Sequence, residues 1–225
     1  MKWLDGSKVA TSLRIACEPS SHPTIQPSNH MQILTPSEAA INVALQTLED
    51  GGIVAHATET CYGLACDMTN PEAVEKLFLI KERNPNQPIS ALFPTVEATE
   101  GWVEWNDEAR ELAAKELPGP LTIVLPCIKE EIFPTSPLHY STTLGIRVSS
   151  HPIAKELSEK FGKPISTTSA NVSGEPCAYS AENIIGQFKD KEHKPDLILD
   201  SGQLEERSPS KVVSFIKDEP QVLRY

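Results

Sequence analysis

Residues able to do chemistry concentrate in a few short stretches of this chain. Ser166-Thr167-Thr168-Ser169-Ala170-Asn171-Val172-Ser173-Gly174 packs hydroxyls and one carboxamide into nine residues with no charge of its own. Its apolar lead-in, Lys163-Pro164-Ile165, predicts a short buried strand that ends as the polar run begins, with Ser173-Gly174 as a turn. A strand end of that kind presents side-chain donors and backbone N–H groups to one point, which suits an anionic or polar ligand. The same residue types also bond their own backbone in ordinary loops. Lys81-x-Arg83 is a cationic pair at a helix C-terminus, where it meets the negative end of the dipole. Asn84-Pro85 then forces the backbone out of the helix, so the pair also stands at a loop mouth, able to hold phosphate oxygens. Thr58-Glu59-Thr60 follows a buried strand, where open α/β sheets place ligands, and reads equally as a simple turn capped by Thr58. Arg147 lies in an apolar strand between Ile146 and Val148 and needs solvent or an anion; a carboxylate or phosphate partner is expected. His56 and His151 are single and are expected to be structural.

The whole chain narrows the classes. Its 225 residues with 39% apolar content suit one large domain or a domain with an appendage. No apolar run approaches a membrane span, and the N-terminus lacks a signal-peptide pattern, so a cytoplasmic protein without membrane contact is expected. The five cysteines are scattered without the short paired spacing of zinc sites, which predicts reduced thiols and no metal site. A net charge of −11 opposes a protein whose main task is gripping nucleic acid, so any anion must be held by a local cluster.

The elements that would position these residues alternate. Residues 1–30 show no periodicity and are expected to be a weakly ordered extension, with Met31 a candidate biological start. Gln32-Ile33-Leu34 reads as an edge strand, and Thr35-Pro36-Ser37-Glu38 as an N-cap, first-turn proline and capping-box glutamate for a helix stopped by Gly51-Gly52. Ile53 to Ala57 is a buried strand, Thr58 to Leu64 a loop, and Asn70-Pro71 the start of a helix ending near Lys81. Strands are expected at Pro88–Phe93, Leu121–Leu125, Leu144–Val148, Leu197–Leu199, Lys211–Phe215 and Gln221–Arg224. Further helices are expected over Asn106–Glu116, after Ser150-His151-Pro152 up to Gly162, and from the cap Ser180 through Phe188. Phe133 to Thr143 reads as a loop. The sum is one mixed α/β domain over 31–225, with roughly seven strands and five helices.

Taken together, five stretches resemble the ordered signature of the YrdC-like threonylcarbamoyl-AMP synthases. They are Thr58-Glu59-Thr60-Cys61-Tyr62-Gly63-Leu64, Lys81-x-Arg83, Pro118-Gly119-Pro120-Leu121-Thr122, Gly145-Ile146-Arg147-Val148 with His151-Pro152, and Thr168 to Gly174. The resemblance covers Met31 to the C-terminus. It implies a twisted mixed sheet with surrounding helices and a concave, positively charged cavity. It also implies a reaction joining L-threonine, bicarbonate and ATP into threonylcarbamoyl-AMP and pyrophosphate, for the N6-threonylcarbamoyl modification of adenosine 37 in tRNA. The family's nucleotide-side tetrad falls on Lys81, Arg83, Ser169 and Asn171. Thr58 matches a threonine-binding position and Arg147 the arginine that grips the substrate carboxylate, while Thr143, Thr167, Ser210 and Arg224 fall near other ligand-contacting positions. Ala57 replaces a frequent proline, Leu92 stands near a frequent histidine, and Cys177 replaces a serine of some members. The chain stops one residue after Arg224, as in the short, single-domain form.

The residues agree with such chemistry. A carbamate formed from the threonine amine and bicarbonate attacks the α-phosphate of ATP, and pyrophosphate leaves. That step asks the protein for positioning groups and positive charge where phosphate charge develops. Lys, Arg, Ser, Thr and Asn are on offer, and no nucleophile with a paired base stands out. Mg²⁺ would ride on the phosphates. Expected partners are the three substrates, with tRNA and a threonylcarbamoyl-transferase complex downstream. Two other readings stand beside this one: a non-catalytic RNA-binding or ribosome-associated protein of the same fold, and a paralogue with another adenylation or carbamoyl-transfer substrate.

Overall fold

The computed structural model describes residues 31–128, 141–217 and 219–225. The extension expected over 1–30, Cys17 within it, and residues 133–140 of the expected loop lie outside them. The described chain runs β1 (Gln32–Leu34), α1 (Glu38–Glu49), β2 (Val54–Ala57), β3 (Tyr62–Ala65), α2 (Pro71–Lys81), β4 (Ser90–Leu92), α3 (Asp107–Glu116), β5 (Leu121–Pro126) and β6 (Thr143–Arg147). It continues through α4 (Pro152–Phe161), β7 (Ile165–Ser169), α5 (Ala181–Phe188), β8 (Leu197–Leu199), β9 (Lys211–Ser214) and β10 (Gln221–Arg224).

Helix starts follow local chemistry. The Asn70 side chain accepts from Glu72 N and Ala73 N, with Pro71 opening α2, and Ser180 accepts from Asn183 N at α5. The first helix begins later than its sequence suggests. Ser37, extended at φ −158°, is its cap and accepts from Ala40 N at 3.2 Å, so Thr35 is left outside the helix.

Two stretches correct the strand expectation, and the described residues form ten strands where roughly seven were expected. Tyr62-Gly63-Leu64, expected in a loop, forms β3 antiparallel to β2, with Ala57 opposite Tyr62 and His56 opposite Gly63. The glycine masks the strand pattern, because it adds no side chain to the alternation. β7 does not stop at Ile165 but carries the polar run to Ser169. Ser166 and Thr167 pair with β4, and Thr168 and Ser169 pair with β3, so the ladder claims backbone that the hydroxyls would otherwise cap.

The strands form one mixed sheet in the order β1-β8-β2-β3-β7-β4-β6-β5-β9-β10. Alternation splits its residues between two faces. Ala55, Leu64, Ala91, Ile123 and Ile146 join a core with residues of α2, α3 and α5, while Val54, Ala65, Leu92, Ile165 and Leu197 join a second core with α1 and α4. The second face continues through Thr122 and Val124 of β5 and Thr143, Gly145 and Arg147 of β6. Those positions line a cavity instead.

Gly145 keeps the floor of that cavity open. A Cβ there would lie 2.5 Å from Ser90 Oγ, 3.1 Å from Ser90 Cβ and 3.2 Å from Thr122 Cγ2. Gly145→Ala should therefore push β4, β5 and β6 apart, lowering stability by about 1–3 kcal/mol in urea unfolding. An unchanged midpoint would show that the three strands yield freely.

Candidate functional site

The cavity has a volume of about 390 Å³, within the usual range for small-molecule sites. Four arginines reach it, Arg83, Arg147, Arg207 and Arg224, and no carboxylate lines it among the described residues. Arg147 is paired with Glu59 and Arg207 with Glu205. Arg83 donates to Gln87 O and Pro88 O, and Arg224 to Ser210 O and Ser210 Oγ. Among the described residues these last two charges have no carboxylate counter-ion, so the cavity is electropositive inside a protein of net charge −11.

The polar strand end is held from behind by Lys81. Glu82, left-handed at φ 49°, ends α2 and turns the chain. Lys81 Nζ then donates to Ser169 O at 2.5 Å, Asn171 O at 2.8 Å and Asn171 Oδ1 at 3.0 Å. Its three donors are thereby used. Burial, with the charge of Arg83, brings its pKa down to about 7. Its own carbonyl accepts from Ser173 N, so side chain and backbone grip the same loop. Ser169 Oγ donates to Asn171 Oδ1 at 2.6 Å, and Asn171 Nδ2 donates to Glu175 O. Of the expected tetrad, Arg83 and Ser169 line the cavity, while Lys81 and Asn171 lie in the wall beneath it.

The anion expected beside Arg147 is a carboxylate of the chain itself. Arg147 Nη2 donates to Glu59 Oε1 at 2.6 Å and to Thr60 Oγ1 at 2.9 Å, and Ser149 Oγ donates to the other Glu59 oxygen. Burial pushes the Glu59 carboxyl up, but the Arg147 charge and these hydrogen bonds outweigh it and hold it below the ordinary carboxylate range. One edge of the guanidinium is spared, since Arg147 Nε is buried without a partner.

The other expected residues divide between cavity and frame. Thr143, Thr167, Ser210 and Arg224 line the cavity. Ser210 Oγ also meets Thr122 Oγ1 at 3.3 Å, which links β5 to β9. Thr58 is kept by the hairpin turn, where its Oγ1 donates to Cys61 O and accepts from Thr60 N. His151 caps α4, as a structural residue should, with Nδ1 accepting from Ile153 N. His56 is fully buried, with Nδ1 on Ala57 O and Nε2 without a partner; burial lowers its pKa to about 4. Ala57 and Leu92 are core residues, whereas Cys177 lines the cavity. Sequence reasoning missed Ser90, Thr122, Tyr179 and Arg207 as lining residues. Ser90 and Thr122 were detectable as lone hydroxyls at alternate positions of apolar strands; Arg207, in the run Glu205-Glu206-Arg207, gave no such signal.

Residues 46–225 match the Sua5/YciO/YrdC family model, described as telomere recombination. The chain is 34% identical over 188 residues to the threonylcarbamoyl-AMP synthase of Pyrococcus abyssi, covering 83% of this chain and 54% of that one. It is 29% identical over 183 residues to that of Marinobacter nauticus, covering 81% and 94%. The structure of P. abyssi Sua5 complexed with L-threonine superposes with a TM-score of 0.77 at 32% identity, over 86% of this chain and 56% of that one. The chain thus spans about half the length of the P. abyssi proteins it matches.

Two expectations follow from the buried charges. Arg147→Met strands Glu59 without its cation and should cost about 3–5 kcal/mol in urea unfolding at neutral pH; a loss below about 1 kcal/mol would mean solvent reaches Glu59 freely. For His56, the folded pKa of about 4 lies below the ordinary 6.5. As pH falls through that window the unfolded chain takes up a proton that the folded chain refuses. Stability should therefore fall, by about 3 kcal/mol in all. His56→Leu should remove that component, measured as the difference between the two proteins' unfolding free energies at neutral pH and near pH 4.

Proposed function

The chain belongs to the Sua5/YciO/YrdC family, and on that premise we propose that it is an L-threonylcarbamoyladenylate synthase, a nucleotidyltransferase acting on L-threonine, bicarbonate and ATP. The observation that carries the reading is the pairing of two anion-ready places in one cavity. Arg83 and Arg224 offer charge without a carboxylate counter-ion among the described residues, which suits phosphates. Arg147, fixed by Glu59, lines the same cavity, which suits the carboxylate of an amino acid.

In this reading Arg83, Ser169 and Arg224 hold the nucleotide, and Thr143, Thr167 and Ser210 supply hydroxyls around it. Arg147 orients threonine so that its carbamate oxygen faces the α-phosphorus. Lys81 and Asn171 keep the Ser169 strand end in place. The protein thus acts by positioning and by charge preset where phosphate charge develops. The cavity's hydroxyls and arginines are not a cage for a hard cation, so Mg²⁺ belongs with the ATP phosphates as part of the substrate. The catalytic domain is 31–225, and the product would pass in the cytoplasm to a threonylcarbamoyl-transferase complex acting on tRNA. No helix of the described residues is long and apolar enough to cross a membrane.

Purified protein given MgATP, bicarbonate and labelled L-threonine should release pyrophosphate only when threonine is present. Threonine-independent release, or none, would remove the reading, and tight tRNA association at physiological salt without turnover would favour the RNA-binding alternative. Arg83→Ala should lower kcat/KM by about 10²–10³-fold with an almost unchanged thermal midpoint. Lys81→Ala, by contrast, should lose activity and stability together, because it removes the buried tie to Ser169 and Asn171.

A further inference from the structure

Two cysteines meet in the cavity wall from separate parts of the chain. Cys61 closes the hairpin turn before β3, where its carbonyl accepts from Thr58 N and Thr58 Oγ1. Cys177 sits between the Ser169–Gly174 stretch and α5. Tyr62 N donates to Ala178 O at 2.9 Å, which fastens the two backbones together one residue beyond each cysteine. Both side chains line the cavity, side by side on these fastened backbones. Cys61 is nearly covered, while Cys177 is partly exposed. The wall treats the two sulfurs differently. The neighbouring Cys61, with the charges of Lys81 and Arg224, outweighs burial and lowers the Cys177 pKa. The neighbouring Cys177, with burial, raises that of Cys61. A partly exposed thiol of lowered pKa beside a covered thiol of raised pKa is the arrangement of an attacking and a resolving cysteine. Cys66 and Cys127 are buried elsewhere and do not line the cavity.

We propose that Cys61 and Cys177 form an oxidation site at which a hydroperoxide converts the two thiols into a disulfide across the wall of the nucleotide cavity. The Cys177 thiolate attacks one oxygen of hydrogen peroxide, the O–O bond breaks, and the sulfur becomes a sulfenic acid as hydroxide leaves and takes up a proton. Cys61 sulfur then attacks Cys177 sulfur, forming the S–S bond and expelling hydroxide, which leaves as water with the Cys61 proton. Two thiols and one peroxide thus give one disulfide and two waters. Closing the two sulfurs to a bond of about 2.05 Å draws Cys177 towards the Thr58–Cys61 turn. The hydroxyl of Ser169 and the arginines around it then lose their setting, and a dithiol reductant restores it. The effect on turnover rests on the synthase reading; the bond itself does not.

The test uses the full, reduced chain treated with stoichiometric hydrogen peroxide and digested without reductant. A cross-linked peptide pair containing Cys61 and Cys177 is expected, formed more slowly when MgATP is present. Threonine-dependent pyrophosphate release should fall by about 10²-fold and return with dithiothreitol. In Cys61→Ser no such pair can form, and Cys177 should instead pass to its sulfinic acid, with a loss that dithiothreitol does not reverse. A wild-type chain in which Cys177 goes straight to the sulfinic acid, or in which a different cysteine pair is linked, overturns the proposal. A chain that links Cys61 to Cys177 yet shows no threonine-dependent turnover when reduced overturns the synthase reading and leaves the oxidation site standing.

Discussion

A buried ammonium group holds together the wall on which the cavity depends. Lys81 Nζ binds three oxygens of Ser169 and Asn171, and the Lys81 carbonyl takes the N–H of Ser173. An ammonium in such a place would be too costly without a full set of acceptors. The strand end is therefore committed to one conformation whenever α2 is docked. Further bonds agree with it: Ala170 N donates to Tyr62 O of β3, and Val172 N donates to Gln187 Oε1 of α5. Two helices and a strand thus converge on this nine-residue stretch, and the polar side chains left over are the ones free to meet a ligand.

The second constraint is the pair Glu59–Arg147. It joins the β2–β3 turn to the end of β6, and both side chains are almost fully covered. An internal carboxylate beside a proposed substrate-binding arginine would appear to compete with a substrate. Its geometry removes the conflict, because Glu59 and Thr60 take only Nη2 and Arg147 still lines the cavity. The pair aims the guanidinium and neutralises part of its charge. Arg83 and Arg224 then supply the excess positive charge of the cavity.

Much of the frame was legible because its causes are local. Asn70-Pro71 and Ser180 cap helices through bonds to residues two or three places on, and Gly162 ends α4 with positive φ. The failures have physical reasons too. Gly63 conceals β3, since a residue without a side chain contributes nothing to a period-two pattern, and the polarity of Ser166–Ser169 conceals a strand whose partners β3 and β4 are distant in sequence. Ser37 displaced Thr35 as a cap because two hydroxyls within three residues both fit the pattern, and only the backbone path selects one.

By itself the sequence determined the helices with their caps, the mixed α/β class, and the residue types that any anion site here must use. Those properties arise from neighbouring residues and from hydrophobic period, which a chain carries before it folds. Only the tertiary structure decided how the polar stretch Ser166 to Gly174 is divided. Thr167 and Ser169 face the cavity, Ser166 turns away to bind Leu64 O and Cys66 N, and Asn171 is consumed with Lys81 inside the wall. The same is true of Arg147, whose anion proved to be Glu59, and of Cys61 and Cys177, which are far apart in the chain yet line one cavity. Whether a polar side chain faces a ligand or its own frame depends on strand parity and on partners far away in sequence, and neither exists until the sheet closes.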